Sequence, residues 1–253
     1  MDQNDIAAAS DLLAAARRQH ARIDRLPDAV RPRTVADAHA IQDAVTVRLG
    51  ERVFAFKGSA PGRNAAEAVR APIYATACFP SPAQVPAATV PQCGIEGEVA
   101  FRFRRDLPPR ATPYSRQEVV DAIDACAAIE LVTSRFADPD STTFLEKLAD
   151  CSSNGGFVFA PVVEDWHRLD FTSLKVKLEI NGETVLEQAG GHPTGDLLNI
   201  VTSFVELMRT STGVPAGQFI TCGSYTGLRY LDPGDRCAVT FDGLGRVESV
   251  FQT

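Results

Sequence analysis

Two glutamates, Glu96 and Glu98, lie two residues apart in a segment typical of a β-strand, GIEGEVAF at 94–101. Successive side chains of a strand point to opposite faces, so both carboxylates share one face and repel each other. Burying such charges without a partner is costly, and a hard divalent cation such as Mg²⁺ prefers oxygen ligands. A solvated sheet face with lysines opposite is the alternative, but the apolar neighbours and the small Gly97 favour a metal site.

A third carboxylate, Glu130, lies inside a strongly apolar run at 125–132. A buried acid needs a partner, and either a shared metal ion or an ion pair with nearby Arg135 would provide one. Another apolar segment, at 53–58, has Lys57 near its C-terminal end. This lysine is either a site residue or an ordinary strand-end lysine in water.

Two loops rich in glycine and hydroxyl side chains adjoin predicted strands. The first runs from Asp150 to Gly156, and the second is GSYTG at 223–227. Backbone N–H groups and hydroxyls in such loops can bind a carboxylate, although a plain turn is the alternative. Lys147, just before the first loop, is a weaker candidate, because it also fits an exposed helical pair with Glu146.

Helices are predicted ahead of these segments. The first helix spans 5–23. The second helix begins with a capping box at Thr34 and ends near Gly50. These helices predict a small helical N-terminal subdomain over 1–52, followed by a catalytic domain over 53–253.

The rest of the chain favours short strands over helices. The Pro-, Ala- and Gly-rich stretch 59–93 indicates little regular structure, whereas an Asn-Gly turn predicts a hairpin at 175–188. An amphipathic pattern predicts a long helix at 195–212. Many short strands with few helices indicate an α+β fold with a strongly bent, mixed β-sheet.

The composition limits the classes of function. A 253-residue chain with a net charge of −7 argues against nucleic acid or an anionic membrane as the main partner. No apolar run is long enough to span a bilayer, and the acidic N-terminus lacks the order of a signal peptide. Six scattered cysteines without zinc-site spacing fit the reduced thiols of a cytoplasmic protein.

The ordered set of motifs resembles the fumarylacetoacetate hydrolase superfamily, and within it the branch of 2-keto-4-pentenoate hydratases and 4-oxalocrotonate decarboxylases. The resemblance covers nearly the whole chain. It implies a mixed β-roll, a Mg²⁺ or Mn²⁺ site, and a homo-oligomer that can associate with a sister enzyme of its pathway. The residues it implies are Glu96, Glu98 and Glu130 as metal ligands, Lys57 as the catalytic residue, and Ser153, Gly156, Ser224 and Thr226 as substrate-binding residues.

The same resemblance implies a small 2-oxo or 2-hydroxydienoic acid of aromatic catabolism as the substrate. We predict a hydratase that adds water to a 2-hydroxy-2,4-dienoate to give a 4-hydroxy-2-oxo acid, with Lys57 acting mainly through its charge. Hydratases of this branch carry an acidic residue in the segment matching 71–74, which is APIY here, so 2-oxo-acid decarboxylation is the alternative. An acylpyruvate-type C–C hydrolase ranks lower, because hydrolases usually have aspartate in place of Glu130. An inactive partner subunit is the remaining alternative.

Overall fold

The computed structural model of this protein describes residues 1–62 and 66–253. The helices in these ranges are α1 Gln3–Gln19, α2 Val35–Leu49, α3 Arg116–Val120, α4 Phe144–Ala149 and α5 Leu197–Arg209. The strands are β1 Val53–Ser59, β2 Val69–Tyr74, β3 Cys78–Pro80, β4 Ala83–Pro86, β5 Gly94–Phe103, β6 Ile123–Val132, β7 Asn154–Phe159, β8 Lys175–Ile180, β9 Glu183–Ala189, β10 Phe219–Ser224, β11 Arg229–Tyr230, β12 Arg236–Phe241 and β13 Gly245–Gln252. No helix in this part of the chain has the length and apolarity needed to cross a membrane.

The strands form two sheets. The larger has the order β2-β1-β10-β5-β6-β7-β3, with β11 paired to β5, and the smaller has the order β4-β13-β12-β8-β9. Both sheets are mixed, because β1 with β10, β3 with β7 and β4 with β13 are parallel pairs among otherwise antiparallel neighbours. The predicted α+β fold with a strongly bent mixed sheet is confirmed.

One face of the larger sheet packs against the smaller sheet. Ile95, Val99 and Phe101 of β5 lie in the main hydrophobic core together with Val239 of β12. Gly97 lies on the same face, and a Cβ there would come within 2.9 Å of Val239 Cγ1. Glycine at this position therefore lets the two sheets approach each other closely.

The other face of the larger sheet is concave. Small side chains and phenylalanine rings fill its centre. Ala100 lies opposite Cys126, and Ala128 lies opposite Phe159. These residues form a separate buried cluster that also includes Ala55. Carboxylates lie at one end of this concave face, and a cavity lined by arginine and phenylalanine lies at the other end.

The helices α1 and α2 pack side by side and contact α4. Leu13 and Ile41 share a hydrophobic cluster with Leu148. Thr34 opens α2 with the predicted capping box. Because these helices share their core with the helix that precedes the Asp150–Gly156 loop, the N-terminal segment supports that loop directly. Its assignment as a subdomain over 1–52 stays a prediction.

The prediction of little regular structure over 59–93 is wrong for most of that stretch, and its residues 63–65 lie outside the described residues. The strands β2, β3 and β4 form here. Pro72 is compatible with β2 because this strand lies at the edge of the sheet, where a missing N–H group need not break a ladder.

Candidate metal centre

The three glutamates predicted as metal ligands come together at one end of the concave face. In the register of β5 with β6, Glu96 lies opposite Glu130, and Glu98 follows two residues later on the same face. One carboxylate oxygen from each residue lies within 4.8 Å of the others. Glu98 and Glu130 are fully buried, and the Glu96 side chain is 19% exposed. The alternative of a solvated sheet face does not fit this burial.

The Glu98 carboxylate is only partly satisfied by protein groups. Its Oε2 accepts hydrogen bonds from the Thr221 hydroxyl and, at 2.8 Å, from the backbone N–H of Gly223. Its Oε1 is buried without a hydrogen-bond partner among the described residues. An unpaired buried carboxylate oxygen beside two further carboxylates fits an oxygen-ligated divalent cation, so this donor set supports the predicted site.

Lys57 lies against the same three carboxylates. Its Nζ is 2.5 Å from Glu130 Oε2 and 3.5 Å from Glu96 Oε2. The strand β1 places it there, because Lys57 pairs with Thr221 of β10, whose hydroxyl contacts Glu98. The ammonium group therefore supplies positive charge where a metal ion would sit.

The pKa values of these groups reflect burial and mutual charge. Burial raises the pKa of Glu130 to about 7, although Lys57 opposes the shift. Burial also raises the pKa of Glu96 and Glu98, again against the influence of Lys57. For Lys57, burial lowers the pKa, but the three glutamates outweigh it and the net pKa is raised. The three carboxylates therefore keep Lys57 protonated in the metal-free arrangement.

Asn154 holds the remaining oxygen of Glu130. Its Nδ2 donates to Glu130 Oε1 at 2.9 Å, and the Asn154 side chain is buried. The carbonyl of Asn154 in turn accepts hydrogen bonds from Arg17 of α1 and from Arg135, both at 3.0 Å. The sequence pattern gave no reason to single out Asn154, since its partner lies 24 residues away.

Arg135 is not the ion-pair partner of Glu130, so that alternative is wrong. Its Nε lies 2.5 Å from Asp150 Oδ1, and its backbone N–H donates to Asp150 Oδ2 at 2.9 Å. Both side chains of this pair are at least 95% buried. The pair fixes the start of the loop that follows α4, and Glu130 remains available to a metal ion.

A cavity of about 390 Å³ opens beside Lys57. Its lining residues are Lys57, Gly58, Ser59, Val69, Phe144, Lys147, Leu148, Ser152 and Ser153. Two ammonium groups and three hydroxyls face this space, and no carboxylate from the described residues lines it. The cavity therefore suits an anion. Lys147 makes one weak ion pair, 3.8 Å from the exposed Asp140, so its charge is largely available.

Ser153 lines this cavity, as its predicted role requires. Cys151, Ser152 and Ser153 have φ angles of 54°, 53° and 59°, a left-handed conformation that side chains other than glycine rarely adopt. Such strain persists where the surroundings impose it, commonly at functional sites. The pair of Arg135 with Asp150 provides that constraint here.

The other three residues predicted to bind substrate lie outside the lining of this cavity. The Ser224 hydroxyl is buried near Glu96 and has no hydrogen-bond partner of good geometry among residues 1–62 and 66–253. Thr226 accepts a hydrogen bond from the Gly97 N–H at 2.8 Å, which fixes the backbone between Glu96 and Glu98. Gly156 lies within β7, where a Cβ would come within 2.6 Å of the Ala77 carbonyl oxygen. Their substrate contacts stay predictions.

The segment 71–74 lies next to the site. Ala71 pairs with Lys57 across β1 and β2, and all four residues of the segment are buried. This segment is therefore close to the site, and it contains no acidic side chain.

Comparison with known proteins places these features in a family. The model of the fumarylacetoacetate (FAA) hydrolase C-terminal family matches residues 62–252. The 4-oxalocrotonate decarboxylase of Pseudomonas putida is 28% identical over 231 residues, which is 86% of each chain. A 2-keto-4-pentenoate hydratase of Burkholderia vietnamiensis is 28% identical over 181 residues, which is 71% of this chain and 68% of the relative.

Solved structures share the fold over almost the whole chain. The 4-oxalocrotonate decarboxylase of Pseudomonas putida G7, complexed with magnesium and adipate, has a TM-score of 0.84 at 21% identity. The match covers 99% of this chain and 98% of that one. The same enzyme complexed with calcium and acetate gives a TM-score of 0.83 at 22% identity.

Proposed function

Because this chain belongs to the fumarylacetoacetate hydrolase C-terminal family, we propose that it is a divalent-metal-dependent lyase acting on a small 2-oxo acid. The observation that carries the proposal is the buried triad of Glu96, Glu98 and Glu130, with one carboxylate oxygen of Glu98 left unpaired. Relatives named as decarboxylase and hydratase support an enzyme of this kind.

The triad would hold Mg²⁺ or Mn²⁺, since both are hard cations that take carboxylate ligands. Structures of a relative with magnesium or calcium support this assignment. When bound, the ion would polarise the 2-oxo group of the substrate and favour its enolate. A bound cation would compete with the Lys57 ammonium for the Glu130 carboxylate. The displaced ammonium would then turn into the adjoining cavity. There Lys57 Nζ would donate hydrogen bonds to the substrate carboxylate, with the Ser153 hydroxyl beside it.

Of the two lyase reactions, the surroundings of the cavity favour decarboxylation. Adding water across a double bond calls for a side chain that accepts or delivers a proton at the attacking water. The described lining contains no carboxylate and no imidazole, and the segment 71–74 is apolar. Loss of the distal carboxylate of a 2-oxo diacid as CO₂ breaks a C–C bond whose electron pair passes through the conjugated double bond to the 2-oxo oxygen, and the resulting enolate takes up a proton from solvent.

A second cationic side chain in the cavity also favours decarboxylation. Lys147 lies on α4 across the space that Lys57 borders, and it can bind a second, distal carboxylate of a 2-oxo diacid. Adipate, the diacid bound to the related decarboxylase, is consistent with such a substrate. Hydration, the reaction predicted from the sequence, is the second candidate, because the related hydratases match most of the chain as well. Assembly into a homo-oligomer and a cytoplasmic location stay predictions.

Product analysis tests the proposal. Protein loaded with Mg²⁺ is incubated with 4-oxalocrotonate and, separately, with 2-hydroxypenta-2,4-dienoate, and products are followed by NMR and CO₂ release. We expect CO₂ from the diacid and little 4-hydroxy-2-oxo acid from the monoacid. Lys147→Met should raise KM for the diacid, whereas the exposed Lys175→Met, the matched control, should leave this KM unchanged. A 4-hydroxy product from the monoacid would assign the enzyme to the hydratases, and no turnover of either substrate would reject both lyase reactions.

A further inference from the structure

The concave face of the larger sheet has a second cavity at the end opposite the metal centre. It has a volume of about 720 Å³ and is bordered by Arg52, Phe54, Arg102, Phe159 and Phe219. Glu98 and Arg102 lie on the same face of β5, four residues apart, so the two sites are separated by about 13 Å along this strand. The buried cluster at the centre of the concave face, which includes Ala100, Cys126 and Phe157, lies between them.

Three phenylalanine rings form the floor of this cavity. The centroids of Phe54 and Phe219 are 5.4 Å apart in a stacked arrangement, and Phe159 lies 5.5 Å from Phe54 and 4.9 Å from Phe219. Phe54 and Phe159 are only half-buried, whereas Phe219 is 3% exposed. The exposed parts of Phe54 and Phe159, packed on the buried Phe219, offer a platform on which a planar apolar molecule can pack.

Two arginines lie over two rings of this platform. The Arg52 guanidinium lies 5.7 Å from the Phe54 centroid, and the Arg102 guanidinium lies 6.0 Å from the Phe219 centroid. Throughout residues 1–62 and 66–253, no carboxylate lies within ion-pair distance of either one. Asp124, the cross-strand partner of Arg102, pairs with Arg104 instead, at 3.4 Å.

An unneutralised pair of guanidiniums is notable in a chain with a net charge of −7. Arginine presents a planar fork of donors that matches a carboxylate, and it also stacks on aromatic faces. The cavity thus combines an apolar floor for a flat ring system with positive charge at its edge. A molecule that meets both features has an aromatic body and a carboxylate group.

We propose that this cavity binds an aromatic carboxylate, with its ring on the phenylalanine platform and its carboxylate at Arg52 and Arg102. This site is distinct from the metal centre and does not depend on the proposed lyase activity. Phe219 lies two residues before Thr221, whose hydroxyl contacts Glu98, so a ligand here rests on the strand that supports a predicted metal ligand.

Calorimetry with 2-naphthoate tests the proposal. The variants are Arg52→Gln, Arg102→Gln and the double variant. Arg168→Gln is the control, because its side chain is 85% exposed and does not line the cavity. These substitutions are on accessible side chains, and circular dichroism verifies that each variant is folded. We expect one equivalent of 2-naphthoate to bind to the wild type and the control, with affinity at least tenfold weaker in the double variant. Naphthalene-2-methanol, which lacks the charge, should bind weakly to all of them.

A second arm separates this cavity from the metal centre. Naphthoate binding should persist in Glu98→Gln and in the presence of Mg²⁺ with oxalate, whether or not the protein proves to be a lyase. Displacement by oxalate would place the naphthoate in the catalytic cavity and overturn the proposal. Equal binding by the wild type and the double variant, or no binding by the wild type, would overturn it as well.

Discussion

Removing the Asn154 side chain should weaken metal binding although Asn154 is not a predicted ligand. Its Nδ2 donates to Glu130 Oε1 at 2.9 Å in a buried environment, which fixes the carboxylate and lowers its pKa. Groups that orient metal ligands in this way typically contribute 10- to 100-fold to metal affinity. We expect Asn154→Ala to raise the Kd for Mn²⁺ by about 10-fold or more at pH 7.

Titration calorimetry at two pH values measures this effect and identifies its cause. In Asn154→Ala the pKa of Glu130 should rise further, so a proton competes more strongly with the metal ion. Part of the lost affinity should therefore return at pH 8.5. The control is Asn199→Ala, an exposed asparagine at the start of α5. A Kd for Asn154→Ala within twofold of the wild-type value would refute the idea that Asn154 positions Glu130.

Three further predictions concern the same centre. Lys57→Met should abolish turnover. It should also tighten Mn²⁺ binding in calorimetry, because the ammonium that competes with the metal ion for Glu130 is removed. Weaker Mn²⁺ binding would contradict this competition. Arg17→Met should weaken Mn²⁺ binding severalfold, less than Asn154→Ala, because Arg135 still holds the Asn154 carbonyl; an unchanged Kd with a lowered Tm would mean a purely structural role. Burial raises the pKa of Glu130 to about 7, so this group stabilises the metal-free protein below its unfolded pKa of about 4.5, and that contribution is lost as the pH rises through 7. Mg²⁺ should therefore raise the Tm more at pH 8 than at pH 6, and equal shifts would argue against proton competition.

The strand alternation at 94–101 predicted that Glu96 and Glu98 share one face, and the structure brings their carboxylates together. A period of two places Glu96 and Glu98 on one face regardless of what surrounds the strand. The position of Glu130 depends on the register of β5 with β6, which is a pairing between distant segments. Periodicity carries no information on such pairing, so the third ligand came from the resemblance to a family.

The errors have the same physical origin. Arg135 lies five residues from Glu130 in sequence, but the chain leaves β6 and turns, and Arg135 meets Asp150 instead. The sequence around Asn154 does not distinguish it, because asparagine is common in Ser- and Gly-rich loops, and only the fold brings it to Glu130. The strands within 59–93 were missed because proline lowers strand propensity, whereas position at a sheet edge makes Pro72 acceptable.

The most direct test of the metal centre is calorimetry of Mg²⁺ and Mn²⁺ binding to the wild type and to Glu98→Gln, each with and without oxalate as a mimic of an enolised 2-oxo acid. We predict that the wild type binds one metal ion, that oxalate tightens this binding, and that Glu98→Gln loses both effects. Absence of metal binding by the wild type, even with oxalate, would contradict the account, because the triad would then be a structural cluster neutralised by Lys57 alone.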